Sequence, residues 1–233
     1  MRIFVAGGAG AIGRQLIPIL VRDGHAVTGT TRSEERAAWL RSAGAEAVVV
    51  DVFDASELRR AVMAARAEVV IHQLTDLAAG FKTEQLRANA RLRQVGTRNL
   101  MDATVAAGAR RMVAQSGAWL YAPGPEPHVE SDPLRDLVES DAVLPGVLEL
   151  ERIVTSTPPV EGVVLRYGFL YGPGTADQTR ASEPAVHVTD AARAAALAVS
   201  RGPAGIYNVV DDGTLVSNRR ARELLGWEPQ ATG

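Results

Sequence analysis

The sequence predicts an α/β fold, a doubly wound parallel sheet with helices on both faces and a reduced C-terminal lobe. Three observations lead there. A short apolar run, Ile3 to Ala6, enters a glycine cluster with Gly7, Gly10 and Gly13 three apart, and a helical pattern follows from Ala11 to Arg22. Short apolar runs then alternate with helical patterns at regular spacing up to about residue 166, which is how parallel strands joined by crossover helices read. No internal repeat or coiled-coil heptad interrupts that alternation.

The elements follow in order. After the first strand, turn and helix, His25 to Thr30 reads as a strand ending in Thr30-Thr31-Arg32-Ser33. Ser33 suits the N-cap of a helix from Glu34 to about Ser42, with acidic residues in its first turn. Glu46 to Val50 is a third strand closed by Asp51, Ser56 to Ala65 a helix, and Glu68 to His72 a fourth strand. Glu84 to Ala107 carries a long helical pattern in which Leu86, Leu92, Val95, Leu100 and Val105 share one apolar side. Arg111 to Ala114 is a fifth strand, a loop rich in Pro and Gly runs from Ala122 to Pro133, and helix resumes around Gly146 to Thr155. Gly162 to Leu165 is a sixth strand. Beyond it come an Ala-rich helix (Asp190 to Ser200), a short strand (Ile206 to Val209) and a short helix (Asn218 to Leu225). We divide the chain into a dinucleotide-binding core, 1–166, and a small substrate-side lobe, 167–233, packed on it within one structural domain.

Composition narrows the function. Hydrophobic residues make up 46% and charged residues 22% of 233 residues, the balance of a water-soluble globular protein. A net charge of -2 gives no basic surface for nucleic acid or an anionic membrane. The chain has no cysteine, which excludes disulfides, thiol catalysis and thiolate metal sites. The four histidines are scattered without ligand spacing, so no metal is expected. No apolar run is long enough to span a membrane or serve as a signal peptide, and a cytoplasmic enzyme is the default. Lys82 is the only lysine.

The glycine turn carries the first functional reading. Glycines between a strand and a helix let a phosphate approach the backbone, and the helix start offers free N–H groups and the positive end of its dipole. Gly7, Gly10, Ala11, Ile12 and Gly13 are therefore candidate dinucleotide contacts. In such Rossmann-type sheets the end of the second strand selects the cofactor: a carboxylate for the NAD ribose, an arginine for the extra phosphate of NADP. Here the residue is Arg32 with no carboxylate beside it, which favours NADP over NAD; a solvated arginine at a helix start is the plainer reading.

Further motifs resemble the extended short-chain dehydrogenase/reductases, the family of NAD(P)-dependent epimerases and dehydratases. They are Asn89 followed by Gly96-Thr97-Arg98-Asn99-Leu100; Leu165-Arg166-Tyr167-Gly168 running into Tyr171-Gly172-Pro173-Gly174; His187-Val188-Thr189-Asp190; Gly205-Ile206-Tyr207-Asn208-Val209; and Leu225-Gly226-Trp227-Glu228-Pro229. With the glycine turn they span nearly the whole chain in the family's order. The resemblance implies that Asp51 and Val52 contact adenine, that Gln73-Leu74-Thr75 lies beneath ribose and pyrophosphate, and that Tyr167 belongs to the cofactor site. The alternative for Asp51, Val52, Gln73 and Leu74 is strand-end capping. The family often dimerises through its two long helices, here Glu84 to Ala107 and the Gly146 to Thr155 region, so a homodimer is an expectation.

The catalytic pattern breaks. The family usually works with a tyrosine, a lysine four residues later and a serine or threonine. Ser116 fits the serine position, but Tyr-x-x-x-Lys is missing, because no tyrosine lies between Tyr121 and Tyr167 and Lys82 comes too early. The pair's expected positions fall near Val143 and Val147, both apolar. Tyr121 is the best remaining acid/base candidate and Tyr167 and His187 weaker ones; Tyr121 reads equally well as a ring in the pocket wall. Glu149 and Glu151, two apart on a helix, cannot form a carboxylate pair on one face. Relatives carry longer segments between Gly174 and His187 and between Asp212 and Leu225; natural trimming there would leave an open pocket that excludes water poorly.

The expected function is an NADP-dependent oxidoreductase or epimerase-like enzyme acting on a small organic substrate with atypical catalytic groups. The alternatives are a redox-neutral isomerase, lyase or cyclase on the same scaffold, and a non-catalytic dinucleotide sensor.

Overall fold

A computed structural model describes residues 1–75, 82–138 and 141–230. The core is a seven-stranded parallel sheet. Its strands are β1 (Arg2–Ala6), β2 (Ala26–Thr31), β3 (Glu46–Val49), β4 (Val69–His72), β5 (Arg111–Gly117), β6 (Glu161–Tyr167) and β9 (Gly205–Val209), in the order β3-β2-β1-β4-β5-β6-β9. The order reverses between β1 and β4, and a ligand crevice opens at the carboxyl ends of the strands at such a reversal.

Both faces of the sheet are covered, and alternation along each strand sorts the side chains. Ile3 and Val5 of β1 join the cluster containing Leu16, Ile17 and Leu20 of α1 (Ala11–Arg22). Phe4 and Ala6 turn to the opposite cluster, with Leu58 and Val62 of α3 (Ala55–Ala64). Strands buried on both sides read as continuous apolar runs, which is why Val69 to Ile71 and Val163 to Leu165 show no polar interruption. Ser33 caps α2 (Glu34–Ser42) by accepting from Arg36 N.

The sheet continues past the boundary expected at residue 166. β9 pairs in parallel with β6, and α7 (Val188–Ala198) packs its alanine face into the same cluster as α1. The segment after 166 thus completes the sheet as well as forming the lobe, which holds a two-stranded sheet of β7 (Phe169–Tyr171) and β8 (Ala185–His187), and α8 (Arg219–Leu225).

Two further expectations shift. β5 and β6 run three and two residues further at their carboxyl ends than the apolar runs, because Gln115, Ser116 and Gly117 pair with Leu165, Arg166 and Tyr167. Polar side chains hid that pairing, which places Ser116 inside β5 rather than after it. The long helix is interrupted: α4 (Thr83–Arg91) passes through a π turn, Leu92–Gly96, into α5 (Thr97–Ala106). The wider turn changes the helical phase, so Leu92 and Leu100 are buried while Val95 and Val105 stay exposed. Gly96 sits where an added Cβ would lie 3.1 Å from both Leu92 and Val52. α6 (Leu144–Thr155) packs across α5. The Val147 side chain is buried against Leu120 and Leu144.

Candidate active site

The glycine turn is built for close backbone approach. Gly7 has φ +84, and a Cβ there would meet Gln73 O at 2.7 Å. At Gly13 a Cβ would lie 2.3 Å from Gly8 O, so only glycine lets α1 start this close to the turn. Gly10 is exposed, its N–H donates to Gly7 O, and it caps α1 without a side chain; no acidic residue stands in the first turn. The helix start therefore keeps its positive end open to an anion. Ile12 sends its side chain into the core, so any contact from it is through the backbone. A Cβ added at Gly174, which has φ +82, would lie 3.8 Å from Ala11 Cα, so the Gly172-Pro173-Gly174 loop runs beside the start of α1.

A cleft of about 120 Å³ runs from this turn along the ends of β1, β2 and β4. Gly7, Gly10, Arg32, Asp51, Val52, Gln73 and Leu74 line it; Ala11, Ile12 and Gly13 are not among its lining residues. Asp51 also accepts from Phe53 N at 2.9 Å, so the capping and lining readings coexist. Gln73 Oε1 is buried with no hydrogen-bond partner among the described residues, an acceptor facing the cleft floor. These features fit a dinucleotide: an uncapped helix start, an apolar slot at Val52 and Leu58, and cations at the β2 end.

Tyr167 is the exception. Its side chain is only 2% exposed and its hydroxyl donates to Ala191 O at 3.2 Å and accepts from Gln73 Nε2 at 3.4 Å. Burial pushes its pKa up. It lies beneath the cleft as a support for Gln73, not in the lining; a tyrosine at the end of a two-sided strand points either to the crevice or to the core, and the motif does not say which.

Thr30, Thr31 and Thr75 also line the cleft, and so do Arg36 and Phe53, which the sequence reading missed. One signal was available for Arg36. It stands in the first turn of α2, where a cation opposes the helix dipole, a placement that suggests an anion nearby.

Beyond the cleft, the ends of β5, β6 and β9 carry a buried polar network. Ser116 Oγ donates to Glu151 Oε1 at 2.6 Å. Arg166 grips the same carboxylate twice, Nε to Oε1 at 2.9 Å and Nη2 to Oε2 at 2.7 Å. Its Nη1 donates to Tyr121 Oη at 2.9 Å, and Tyr121 donates to Asn208 Oδ1 at 2.7 Å. Tyr121 is stacked on His128 on one side and has the Arg166 guanidinium 5.2 Å from its ring. The two hydroxyls predicted from sequence thus belong to one network joined by an ion pair that the sequence reading did not assign. Glu149 is elsewhere, at the surface with Arg98 and Arg152, as the two-residue helical offset requires.

The electrostatics follow from burial. Burial raises the Tyr121 pKa, and Arg166 and Asn208 only partly oppose it. Burial alone would lower the Arg166 pKa, but the Glu151 carboxylate holds it above the usual arginine range. His72, at the end of β4, is bonded through Nε2 to Thr97 Oγ1 at 2.9 Å, and burial, then the Arg93 charge, lower its pKa to about 4. His187 Nδ1 accepts from Thr189 N, and the ring packs edge-on against Tyr171, a helix-capping and loop-anchoring role. Among the described residues no group of three His, Asp or Glu could hold a metal, and no helix is long and apolar enough to cross a membrane.

An uncapped glycine turn at the reversal of a seven-stranded parallel sheet, beside a buried serine and tyrosine, defines a dinucleotide-dependent enzyme of the extended short-chain dehydrogenase/reductase type. The family described as NAD(P)H-binding matches residues 7–195, and the chain belongs to it. Among curated relatives, a 3-diazoavenalumate denitrifying reductase from a Streptomyces species is 39% identical over 237 residues, covering 91% of this chain and 76% of that protein. A dTDP-4-dehydrorhamnose reductase of Streptomyces griseus is 27% identical, covering 98% and 77%. Among solved structures, the UDP-glucose 4-epimerase of Thermotoga maritima superposes with a TM-score of 0.81 at 18% identity, covering 100% of this chain and 94% of that one. The Bordetella bronchiseptica enzyme WbmG, solved with NAD and UDP, gives 0.82 at 18% identity, covering 100% and 90%. The chain is an NAD(P)-dependent enzyme of the reductase and epimerase type.

Proposed function

We propose that this enzyme is an NADP-dependent reductase of a small organic substrate, with Tyr121 as the proton donor and Arg166 in place of the family's lysine. The observation that carries the reading is the contact of Arg166 Nη1 with Tyr121 Oη at 2.9 Å. A lysine beside the tyrosine normally stabilises the tyrosinate left after proton transfer; a guanidinium on the same oxygen supplies the same charge. When bound, the dinucleotide supplies the hydride. Tyr121 supplies the matching proton by turning its hydroxyl from Asn208 Oδ1 to the substrate; its raised pKa keeps the hydroxyl protonated at neutral pH, the state a reduction needs. Ser116 gives its own hydrogen to Glu151, so its remaining lone pairs accept a hydrogen bond from the substrate and orient it. The name of the 39%-identical relative, a reductase, supports reduction over a redox-neutral reaction.

Arg32 and Arg36, both on the cleft at the β2 end, support NADP, since two guanidiniums match a phosphate in geometry and charge. Calorimetric titration with NADP, NADPH, NAD and NADH tests the reading, followed by a substrate screen with the form bound most tightly. Binding of none of the four would overturn it. A homodimer through α5 and α6 is part of the same proposal. The groove between them exposes Val95, Leu137 and Leu148, and light scattering reads its mass.

A further inference from the structure

Arg93 lies on the π turn and is 5% exposed. Its Nε and Nη1 find no hydrogen-bond partner among the described residues. The π turn that carries it puts Leu92 in the lining of the cofactor cleft and packs on α6, the helix of Glu151, which places Arg93 between the cleft and the Ser116–Tyr121 network. Glu151 is engaged elsewhere: its two oxygens accept from Arg166, and Oε1 also from Ser116. Two buried guanidiniums therefore share one carboxylate, and His72, held neutral, adds no negative charge. A buried cation left unpaired is unfavourable for folding, and donors buried without partners are rare unless a ligand completes them. The π turn matters too. It sets the helical phase at this point, and single π turns inside α-helices are found mostly at functional sites.

We infer that Arg93 is the anchor for an anionic group, a carboxylate or its equivalent, on the substrate. The inference rests on the proposed reductase reading only for the position of the reacting centre; the anion site itself follows from the charge count. The planar fork of a guanidinium accepts a carboxylate with two parallel hydrogen bonds. Nε and an Nη are one such pair of donors, and both are buried without a partner among the described residues. The substrate is thus a small organic acid, held by its charged end at Arg93 with its reducible group towards Ser116 and Tyr121. The pyrophosphate of the cofactor has its own site at Gly10 to Gly13, so it does not claim Arg93.

The test uses simple probes. Formate, acetate, benzoate and the neutral control benzamide are titrated calorimetrically into the wild-type protein, free and saturated with NADP, and into Arg93→Met and Arg93→Lys. The expected result is carboxylate binding to the wild type with benzamide at least tenfold weaker, the scale of a charge-assisted hydrogen bond. Arg93→Met loses the carboxylate by about tenfold or more while NADP affinity holds. Arg93→Lys keeps part of it, having the charge without the fork. Arg93→Met also melts at or above the wild-type temperature, because an unpaired buried charge has been replaced by an apolar side chain of similar length. If no carboxylate binds, or if Arg93→Met binds benzoate as the wild type does, the inference is wrong. Lower stability of Arg93→Met with unchanged benzoate affinity would make Arg93 a purely structural residue. Carboxylate binding without any dinucleotide binding would sink the reductase reading and leave the anion site standing.

Discussion

Ser116 on β5 and Glu151 on α6 are joined by a hydrogen bond of 2.6 Å in which the serine is the donor. That direction decides what Ser116 can offer a substrate, which is an acceptor. It also ties the sheet to the helix that normally carries the family's catalytic lysine. The Arg166 side chain is 5% exposed and that of Glu151 8%, so the pair is almost wholly removed from water. Removing one charge strands the other. Glu151→Gln is expected to lower stability by about 3–5 kcal/mol, read by urea denaturation at pH 7. The double variant Glu151→Leu with Arg166→Met removes both charges and is expected to recover part of that loss while remaining inactive. Equal stability of Glu151→Gln and the wild type would mean that the pair is not coupled as drawn.

Tyr121→Phe removes the proposed proton donor and leaves the ring in place against His128. The expected result is a fall in kcat of about 10²–10⁴-fold, the range of a positioned acid, with dinucleotide affinity unchanged. The pH profile provides the sign. Because burial raises the Tyr121 pKa, the reductive rate of the wild type stays level through neutral pH and declines only above the ordinary tyrosine value of about 10. A decline centred near neutral pH would assign the proton to another group.

The fold was legible because the alternation of apolar runs and helical patterns depends on burial alone, and the glycine turn depends on backbone geometry alone. What was hidden required pairing across the chain. Ser116 to Gly117 extend β5 only because Arg166 and Tyr167 pair with them. The π turn at Leu92–Gly96 broke a helical periodicity that looked continuous. The Arg166–Glu151 pair spans two elements, and an arginine inside a strand pattern gives no sign of its partner. The sequence shows no Tyr-x-x-x-Lys; the arginine proposed above for the lysine's role gave no sign of itself there.

Arg32→Ala tests cofactor choice. If Arg32 holds the 2′-phosphate, NADP affinity falls about 10–100-fold, the value of a charged hydrogen bond, and NAD affinity is unchanged. Arg36→Ala should give a smaller loss in the same direction, since it shares the cleft edge with Arg32. Equal loss for NADP and NAD in both variants would show a general effect on the cleft and leave the phosphate unassigned.

His72 predicts an acid sensitivity that does not involve catalysis. Its side chain is fully buried, and its pKa falls from the usual 6.5 to about 4. Between those values the unfolded chain binds a proton that the folded chain refuses. Stability is therefore unaffected above pH 6.5, declines as the pH falls below it, and levels off below about 4 with respect to this group. At 1.36 kcal/mol per unit, the loss attributable to His72 between pH 7 and pH 5 is about 2 kcal/mol. Few carboxylates titrate in that window, so the effect is separable by variant. His72→Gln keeps a polar partner for Thr97 and removes the titration. Urea denaturation at both pH values should show the wild type losing about 2 kcal/mol more than His72→Gln. The same slope in both proteins would place the acid sensitivity elsewhere and would mean that His72 is less shielded from water than its burial indicates. A carboxylate bound at Arg93 would offset the neighbouring charge that helps to hold His72 neutral. The His72 titration, followed by NMR of its ring protons, should therefore move up in saturating benzoate, whereas in Arg93→Met it should already sit higher and be insensitive to benzoate.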